Sequence, residues 1–317
     1  MENKLIIYLP AFNEAERVHV VIERLPKKLD KITAIQILVV DDGSTDNTAQ
    51  IARSSGAQVV SHNVNKGVGA AFHSAVQYAL EHGANYLVSI DADGQFDSGE
   101  ITDLIQPLIY NNADLVIGNR FSKGKPNNMA KIKYWGNKWV STFVGYLCHQ
   151  KFTDVSCGFR AYNREALLHL NIFGSFTYTH EVILNLIFQG LRVVELPISI
   201  QYFQGRKSRV ASSIINYTYR TSKIILRSLI DYSPMRVFGS LGIILFFIGI
   251  CFTGFLFGHY MMVGSFTPYK STGFIGLGFA ILGLLVFLIA LIADMLNRIR
   301  INQDRQLYEI KKTNYGR

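Results

Sequence analysis

The sequence predicts an α/β domain with a mostly parallel sheet, followed by two helices that span a membrane. Over residues 1–210, short apolar runs alternate with segments of helical spacing, which is typical of parallel strands covered by helices on both faces. Residues 237–263 and 273–296 are almost free of charge, and each exceeds the ~20 residues that cross a bilayer. Because the two stretches occur in tandem, buried core helices are the weaker alternative.

Each element of the domain follows from this alternation. The predicted strands are short and apolar, and they end at polar or turn residues, whereas the predicted helices repeat apolar residues every three or four positions. The strands are residues 4–9, 35–40, 57–61, 86–90, 114–117 and 192–196. The helices are residues 14–28, a segment capped by Thr45 or Asp46 that ends near residue 54, and residues 68–82, 98–110, 129–148, 164–170 and 178–189.

The distribution of charge indicates a membrane partner. The net charge is +9, and many basic residues flank the two apolar stretches, so anionic lipid is a simpler partner than nucleic acid. The connection 264–272 carries only Lys270, whereas both outer flanks are rich in lysine and arginine. The positive-inside rule then places the N-terminal domain and both termini in the cytoplasm. We expect the two spans to lie in the cell membrane, the inner or plasma membrane. The chain does not open with the pattern of a signal peptide.

We expect four segments along the chain. They are a cytoplasmic domain at 1–210, juxtamembrane amphipathic helices at 211–235, a membrane hairpin at 236–297 and a basic tail at 298–317. Residues 212–230 set apolar against basic residues, which favours a helix in the membrane interface, with a packed domain helix as the alternative. Since two spans enclose little, we expect a homo-oligomer, for which a tetramer is one option. The three cysteines predict neither a disulfide framework nor a zinc site.

Polar clusters follow four of the predicted strands. They are residues 10–14, 41–44, 91–95 and 118–120. Ligands of open parallel sheets bind beyond the carboxyl ends of the strands, and turns alone do not need two acidic pairs and an arginine at one edge. Asp91 and Asp93 can point their oxygens at one Mg²⁺ or Mn²⁺ ion. We therefore predict a nucleotide and metal site at this edge.

Other nucleotide sites fit less well. No G-x-G-x-x-G follows the first strand, which excludes the usual dinucleotide fingerprint, and no P-loop motif occurs. Residues 65–69, Asn-Lys-Gly-Val-Gly, open a helix. Their backbone N–H groups could bind an anion, or the segment could be a tight turn, and the sequence leaves both alternatives open.

These motifs carry a family resemblance. Pro-Ala-Phe-Asn-Glu, Val-Val-Asp-Asp-Gly-Ser-Thr-Asp, Asn-Lys-Gly-Val-Gly and Asp-Ala-Asp-Gly-Gln, in this order, resemble the motifs of family 2 glycosyltransferases with the GT-A fold. Residues 154–160, Asp-Val-Ser-Cys-Gly-Phe-Arg, and 205–209, Gly-Arg-Lys-Ser-Arg, extend the match. With two C-terminal spans, the chain resembles the polyprenyl-phosphate glycosyltransferases, the group of dolichol-phosphate mannose synthase and bactoprenol glucosyltransferase.

The resemblance implies roles for individual residues. The nucleotide-binding set is Pro10, Phe12, Glu14, Asp41, Asp42, Lys66, Gly67, Asp91 and Ala92. The metal set is Asp91, Asp93 and Gln95, and the acceptor-phosphate set is Arg120, Lys133 and Asn137, where the family prefers arginine and serine at the last two positions. Arg206 and Ser208 match a loop that closes over the diphosphate, although Gln204 and Arg209 depart from the family pattern.

Two acidic residues keep alternative roles. Asp154 is interpreted as a base or as a residue that orients the sugar, with a structural carboxylate as the alternative. Glu181 is interpreted as a contact to sugar hydroxyls or as a partner of a nearby cation. The expected catalytic set is Asp93, Asp154, Arg120 and Arg206.

The implied reaction is an inverting transfer of a hexose from a nucleotide-sugar to a polyprenyl phosphate such as undecaprenyl phosphate. The acceptor is already anionic and needs no strong base. UDP-glucose is the first expectation for the donor, and UDP-N-acetylglucosamine, UDP-galactose and GDP-mannose stay open. The alternatives are a processive polysaccharide synthase, which needs more spans and a Gln-x-x-Arg-Trp motif, a nucleotidyltransferase, and a non-catalytic scaffold, which the intact Asp91 and Asp93 pair disfavours.

Overall fold

Seven strands form one sheet in the order β3-β2-β1-β4-β6-β5-β7. Their bounds are β1 Lys4–Ala11, β2 Ala34–Asp41, β3 Gln58–Ser61, β4 Tyr86–Ser89, β5 Leu115–Asn119, β6 Arg160–Asn163 and β7 Val193–Pro197. All neighbouring strands are parallel except β6, which runs antiparallel to both β4 and β5. The predicted α/β fold with a mostly parallel sheet is therefore confirmed.

The computed structural model describes residues 3–171, 178–201, 223, 230 and 233–316. The chain divides into two compact units, Met1–Ile225 with Leu307–Arg317 and Leu226–Gln306. The sheet belongs to the first unit, and the two long apolar helices lie mainly in the second. Apart from Lys223 and Ile230, the amphipathic helix predicted at 212–230 lies outside the described residues.

Seven helices of the first unit connect or follow the strands within the described residues. They are α1 Val18–Arg24, α2 Thr48–Ser54, α3 Val68–Glu81, α4 Ile101–Ile109, α5 Lys131–Cys148, α6 Arg164–His169 and α7 Thr179–Phe188. A single 3-10 turn, Ser98–Glu100, leads into α4. Residues 5–9 of β1 are fully buried, because helices cover a central parallel strand on both of its faces.

Helix α1 begins four residues later than predicted. The backbone N–H of Asn13 donates to Ser44 Oγ at 2.9 Å, and that of Glu14 donates to Thr48 Oγ1 at 2.9 Å. Asn13 also has a positive φ of 53°, which an α-helix does not contain. The segment after β1 is therefore held as a loop against the β2–α2 connection, which places its polar residues at the edge of the sheet.

Strand β6 was not predicted. It has only four residues, and its first residue, Arg160, is a charged side chain that is fully buried. Ser89 at the end of β4 pairs with Arg160 at the start of β6. Because β6 is antiparallel, the residues that precede it reach the same edge as the carboxyl ends of β1, β2, β4 and β5.

The second unit contains two helices that are long and apolar enough to cross a membrane. A π-helical turn, Met235–Gly239, leads into α8 Ser240–Val263, and α9 runs from Lys270 to Tyr315. Both predicted apolar stretches are helical. Helix α9 continues through the segment predicted as a basic tail.

The last turns of α9 return to the first unit and pack on α6. Tyr308 donates its hydroxyl to Glu165 Oε1 at 2.7 Å, and its ring stacks on His169 with centroids 4.2 Å apart. The ammonium of Lys311 donates to the carbonyl of Leu170 at 2.7 Å. Residues 307–317 thus belong to the α/β unit.

Glycines bring α8 and α9 into backbone contact. A Cβ atom added at Gly249 would lie 2.4 Å from the backbone nitrogen of Ala280 and 2.6 Å from the carbonyl oxygen of Gly276. Gly242 and Gly283 meet the opposite helix equally closely. Close approach through small residues is a common way for helices to associate in lipid.

We expect Gly249→Val to destabilise the hairpin. The added methyl groups would collide with the backbone of α9, and overpacking of this kind costs on the order of 1–3 kcal/mol. Thermal unfolding of the purified full chain in detergent measures the loss. Gly254→Val is the matched control, because a Cβ at Gly254 on the same helix meets no atom within 4 Å. Equal unfolding temperatures for the two variants would contradict the glycine contact.

Candidate active site

The loops after β2 and β3 are joined through the carboxylate of Asp42. Asp42 is buried, and its Oδ1 and Oδ2 accept the backbone N–H groups of Lys66 at 2.9 Å and Gly67 at 2.7 Å. His62 Nδ1 lies 2.7 Å from Asp42 Oδ1. These two N–H groups are therefore paired with Asp42, and the binding of a nucleotide by Lys66 and Gly67 stays a prediction.

Only glycine fits at position 43. Its φ is +76°, and a Cβ there would lie 2.5 Å from the carbonyl carbon of Val64. The neighbouring Asp41 is buried and accepts the N–H of Ser44 at 3.1 Å. The predicted nucleotide-binding residues of this motif are thus brought to one edge, next to the half-buried Pro10, Phe12 and Glu14.

His62 lies directly after β3 and contacts two different segments of the chain. Its Nε2 lies 2.9 Å from Ser74 Oγ, so the ring bridges α3 and the carboxylate of Asp42. The position of His62 directly after β3 was the sequence signal that could have indicated this contact. A histidine at a strand end beside an acidic motif is well placed to orient the carboxylate.

Asp91 and Asp93 lie half-buried after β4, with Ala92 buried between them. Asp93 Oδ1 accepts the backbone N–H of Gln95 at 3.0 Å. A Cβ added at Gly158 would lie 3.3 Å from Asp91 Oδ1 and 3.5 Å from Oδ2. Glycine at 158 therefore keeps the space in front of this carboxylate open.

The oxygen donors here fit a hard divalent cation. Mg²⁺ is commonly held by one or two carboxylates, with substrate phosphates and water as its other ligands. Among the described residues, no group of three or more His, Cys, Asp or Glu side chains converges to hold a metal. Asp91, Asp93 and the nearby Gln95 are thus a set that would share a cation with a ligand rather than enclose it.

Arg120 and Asp154 form a buried bidentate ion pair. Arg120 Nε donates to Asp154 Oδ2 at 2.6 Å, and Nη2 donates to Asp154 Oδ1 at 2.7 Å. The side chain of Asp154 is fully buried, and that of Arg120 is 10% exposed. Since both oxygens of Asp154 face the guanidinium, the geometry favours a carboxylate that orients Arg120 over a general base.

Glu195 on β7 holds the loop that carries Asp154. Its carboxylate accepts the N–H of Asp154 at 2.7 Å, and both the N–H and the hydroxyl of Thr153. Ser156 Oγ accepts from Arg120 Nη2 at 2.8 Å. Sequence reasoning missed Glu195 and Ser156. The signal for Glu195 was a lone acidic residue inside an apolar strand.

Arg160 fixes the other end of this loop. Its guanidinium donates to the backbone carbonyls of Cys157, Val155 and Thr179, each at 2.7–2.8 Å. We name residues 153–159 the bridge loop. It carries Asp154 against Arg120 at one end and Gly158 against Asp91 at the other, so it joins the acidic and the basic parts of the site.

Helix α5 adds a second cation beside Arg120. Burial lowers the pKa of Lys133, and the positive charge of Arg120 lowers that pKa further. Asn137, one turn later, is buried, and Ser141 accepts the N–H of Val155 at 3.1 Å. Of the predicted acceptor-phosphate set, Lys133 and Asn137 therefore lie on α5, and Arg120 follows β5.

The remaining predicted site residues are Glu181, Arg206 and Ser208. Glu181 lies in the first turn of α7, next to His180. Burial lowers the pKa of His180 to about 4, with a further contribution from the charge of Arg160, so this imidazole is neutral near pH 7. Arg206 and Ser208 lie outside the described residues.

Comparison with known proteins identifies the family. Residues 6–170, just over half of the chain, match the family described as glycosyl transferase family 2, and the chain belongs to it. The chain is 29% identical to polyprenol monophosphomannose synthase from Mycolicibacterium smegmatis, over 67% of this chain and 83% of the relative.

The chain is also similar to a second named relative and to a protein of known structure. The chain is 32% identical to UDP-N-acetylglucosamine–dolichyl-phosphate N-acetylglucosaminyltransferase from Methanococcus voltae, over 53% of this chain and 72% of the relative. Glucosyl-3-phosphoglycerate synthase from Mycobacterium tuberculosis, in complex with Mn²⁺, UDP and phosphoglyceric acid, has the same fold. Its TM-score is 0.57 at 17% identity, over 71% of this chain and 78% of the synthase. The resemblance to polyprenyl-phosphate glycosyltransferases with a GT-A fold is thereby confirmed.

We expect Asp154→Asn to destabilise the protein strongly, by about 3–5 kcal/mol, because it leaves the buried guanidinium of Arg120 without its carboxylate. The double variant Asp154→Asn with Arg120→Gln should recover part of that loss. Thermal unfolding of the full chain measures both.

The ion pair between Arg192 and Asp114 provides the control. Arg192 is 48% exposed, so Arg192→Gln should cost much less than Asp154→Asn. Additive losses in the double variant, without any recovery, would contradict the coupling of Arg120 to Asp154.

Proposed function

We propose that this chain is a membrane-bound inverting glycosyltransferase that moves a hexose from a nucleoside diphosphate sugar to a polyprenyl phosphate. The observation that carries the proposal is that the bridge loop contacts both an acidic and a basic group of side chains. At one end of this loop, Asp91 and Asp93 offer oxygen ligands, and at the other end Arg120 and Lys133 offer positive charge. This arrangement suits a reaction between two phosphate-bearing substrates.

The acidic part of the site serves the donor. A divalent cation, Mg²⁺ or Mn²⁺, bound to Asp91 and Asp93 would neutralise the negative charge that develops on the leaving nucleoside diphosphate. The synthase of similar fold was crystallised with Mn²⁺ and UDP, which supports this proposal. Pro10, Phe12, Glu14 and Asp42 would hold the nucleoside at the adjacent edge of the sheet.

The basic part serves the acceptor. Arg120 and Lys133, with Asn137, would bind the phosphate of the polyprenyl chain and align one of its oxygens with the anomeric carbon. That oxygen forms the new bond while the bond to the diphosphate breaks, which inverts the anomeric configuration. A phosphate is already ionised near neutral pH, so Asp154 is free to orient Arg120 instead of accepting a proton.

The identity of the sugar and the cellular arrangement are two further parts of the proposal. The two relatives named above are called mannose and N-acetylglucosamine transferases, so GDP-mannose and UDP-N-acetylglucosamine join UDP-glucose, the first expectation, as donors to test. We further propose that α8 and α9 span the plasma membrane, that the α/β unit is cytoplasmic, and that the chain is a homo-oligomer.

The decisive assay is transfer of labelled sugar to undecaprenyl phosphate by the purified full chain. The donors are UDP-glucose, UDP-galactose, UDP-N-acetylglucosamine and GDP-mannose. We expect labelled lipid from one donor, abolished by EDTA and restored by Mg²⁺ or Mn²⁺. No labelled lipid from any donor, with a folded protein, would contradict the proposal and favour another acceptor or a scaffold role.

We expect Asp93→Asn to lower that transfer on the order of 100-fold, because a neutral amide stabilises a bound cation less well. Asp103→Asn is the matched control, since Asp103 is an exposed carboxylate in the first turn of α4 and belongs to none of the predicted sets of site residues. Initial rates at saturating substrates measure the effect. Equal rates for both variants would show that Asp93 does not serve the reaction.

We expect Lys133→Arg to extend acceptor binding to higher pH. The pKa of Lys133 is lowered, so its ammonium loses the proton at a lower pH than an ordinary lysine does. Above that pKa, the KM for the acceptor should rise about tenfold per pH unit, whereas arginine stays charged. The pH profile of KM measures this difference. Lys138→Arg is the control, because it changes an exposed lysine of the same helix, and its KM for the acceptor should rise at the same pH as that of wild type. If the KM of wild type and of both variants rises at the same pH, Lys133 does not bind the acceptor phosphate.

A further inference from the structure

Helix α5 exposes an aromatic face on the surface of the α/β unit. Ile132 is 62% exposed, Trp135 62%, Trp139 63% and Tyr146 75%. These four residues, which we name the aromatic face, follow each other at one-turn or two-turn spacing. An apolar stripe at helical spacing is normally turned into a core, and a large exposed patch marks an interaction surface.

The inner face of the same helix explains why the aromatic face points outward. Asn137, Ser141 and Val144 are buried against the domain, and Ser141 accepts a hydrogen bond from the bridge loop. Packing therefore fixes the rotation of α5. Turning the aromatic residues inward would remove the polar inner face from the candidate active site.

The charges around the aromatic face favour a lipid surface. Residues 121–151 contain six lysines and no acidic residue. Lys131 and Lys138 are exposed on α5, and Lys138 Nζ lies 5.4 Å from the ring centroid of Trp135. Tryptophan and tyrosine beside lysine are typical of the headgroup boundary of an anionic bilayer. Lysine is depleted at protein–protein interfaces, which disfavours a second copy of this chain.

We propose that the aromatic face of α5 inserts into the surface of an anionic bilayer. Insertion would hold the opposite face of the helix, with Lys133, at the level of the lipid headgroups. Given the proposed function, this is the level at which the phosphate of a polyprenyl acceptor lies. The helix then serves as the platform that brings the acceptor phosphate to Arg120 and Lys133.

The chain provides its own probe, because Trp135 and Trp139 are its only tryptophans. The full chain is reconstituted into phosphatidylcholine–phosphatidylglycerol vesicles, with phosphatidylcholine that carries bromine in the upper acyl chain. We expect tryptophan emission to fall by about half or more relative to unbrominated vesicles, and iodide to quench little, since interfacial rings lie at the depth of the bromine.

A probe at another surface gives the control. Tyr110→Trp, in a Trp135→Phe and Trp139→Phe background, places a tryptophan at a 58% exposed position after α4. It should be quenched by iodide and not by bromolipid. Emission from Trp135 and Trp139 that responds only to iodide would overturn the proposal. Protection from both quenchers would also overturn it and assign the face to a protein contact.

Activity separates this proposal from the proposed function. Trp135→Ser with Trp139→Ser should lower transfer to long-chain polyprenyl phosphate in vesicles on the order of tenfold. Transfer to a short, water-soluble prenyl phosphate in detergent should stay within about twofold of wild type, because the inner face of α5 is unchanged. Equal loss on both acceptors would contradict a membrane platform. Absence of transfer by wild type to either acceptor would instead refute the proposed function and leave the quenching result standing.

Discussion

The buried guanidinium of Arg160 holds the bridge loop, and both parts of the candidate site depend on that loop. Three backbone carbonyls, two from the loop and one from α7, accept its hydrogen bonds within a protein interior. Such carbonyls are costly to leave unpaired, so the guanidinium determines the local backbone path. This single backbone path places Gly158 beside Asp91 and also places Asp154 beside Arg120.

This constraint explains the antiparallel strand in an otherwise parallel sheet. Strand β6 begins at Arg160 and runs back from the edge where the other strands end. A parallel strand in the same place would bring its preceding residues to the opposite edge. The direction of β6 thus places a loop in the middle of the site, where Glu195 from β7 supports it from the other side.

Much of the sheet and its polar edge could be predicted from the sequence, because apolar runs and strand-end clusters are local signals. Strand β6 could not, since four residues beginning with an arginine have no recognisable period. The roles of Glu195 and His62 depend on partners at least 12 positions away, which spacing does not reveal. The metal, nucleotide and acceptor roles stay predictions, and Arg206 and Ser208 lie outside the described residues.

The proposed function requires that a nucleoside diphosphate and a divalent cation bind beside Gly158. Crystals of the full chain grown with Mn²⁺ and UDP or GDP would test it through the anomalous signal of manganese. We expect one strong peak within coordination distance of Asp91 or Asp93, with the diphosphate on the same ion. A manganese peak and a bound nucleotide elsewhere on the protein would contradict the proposed site.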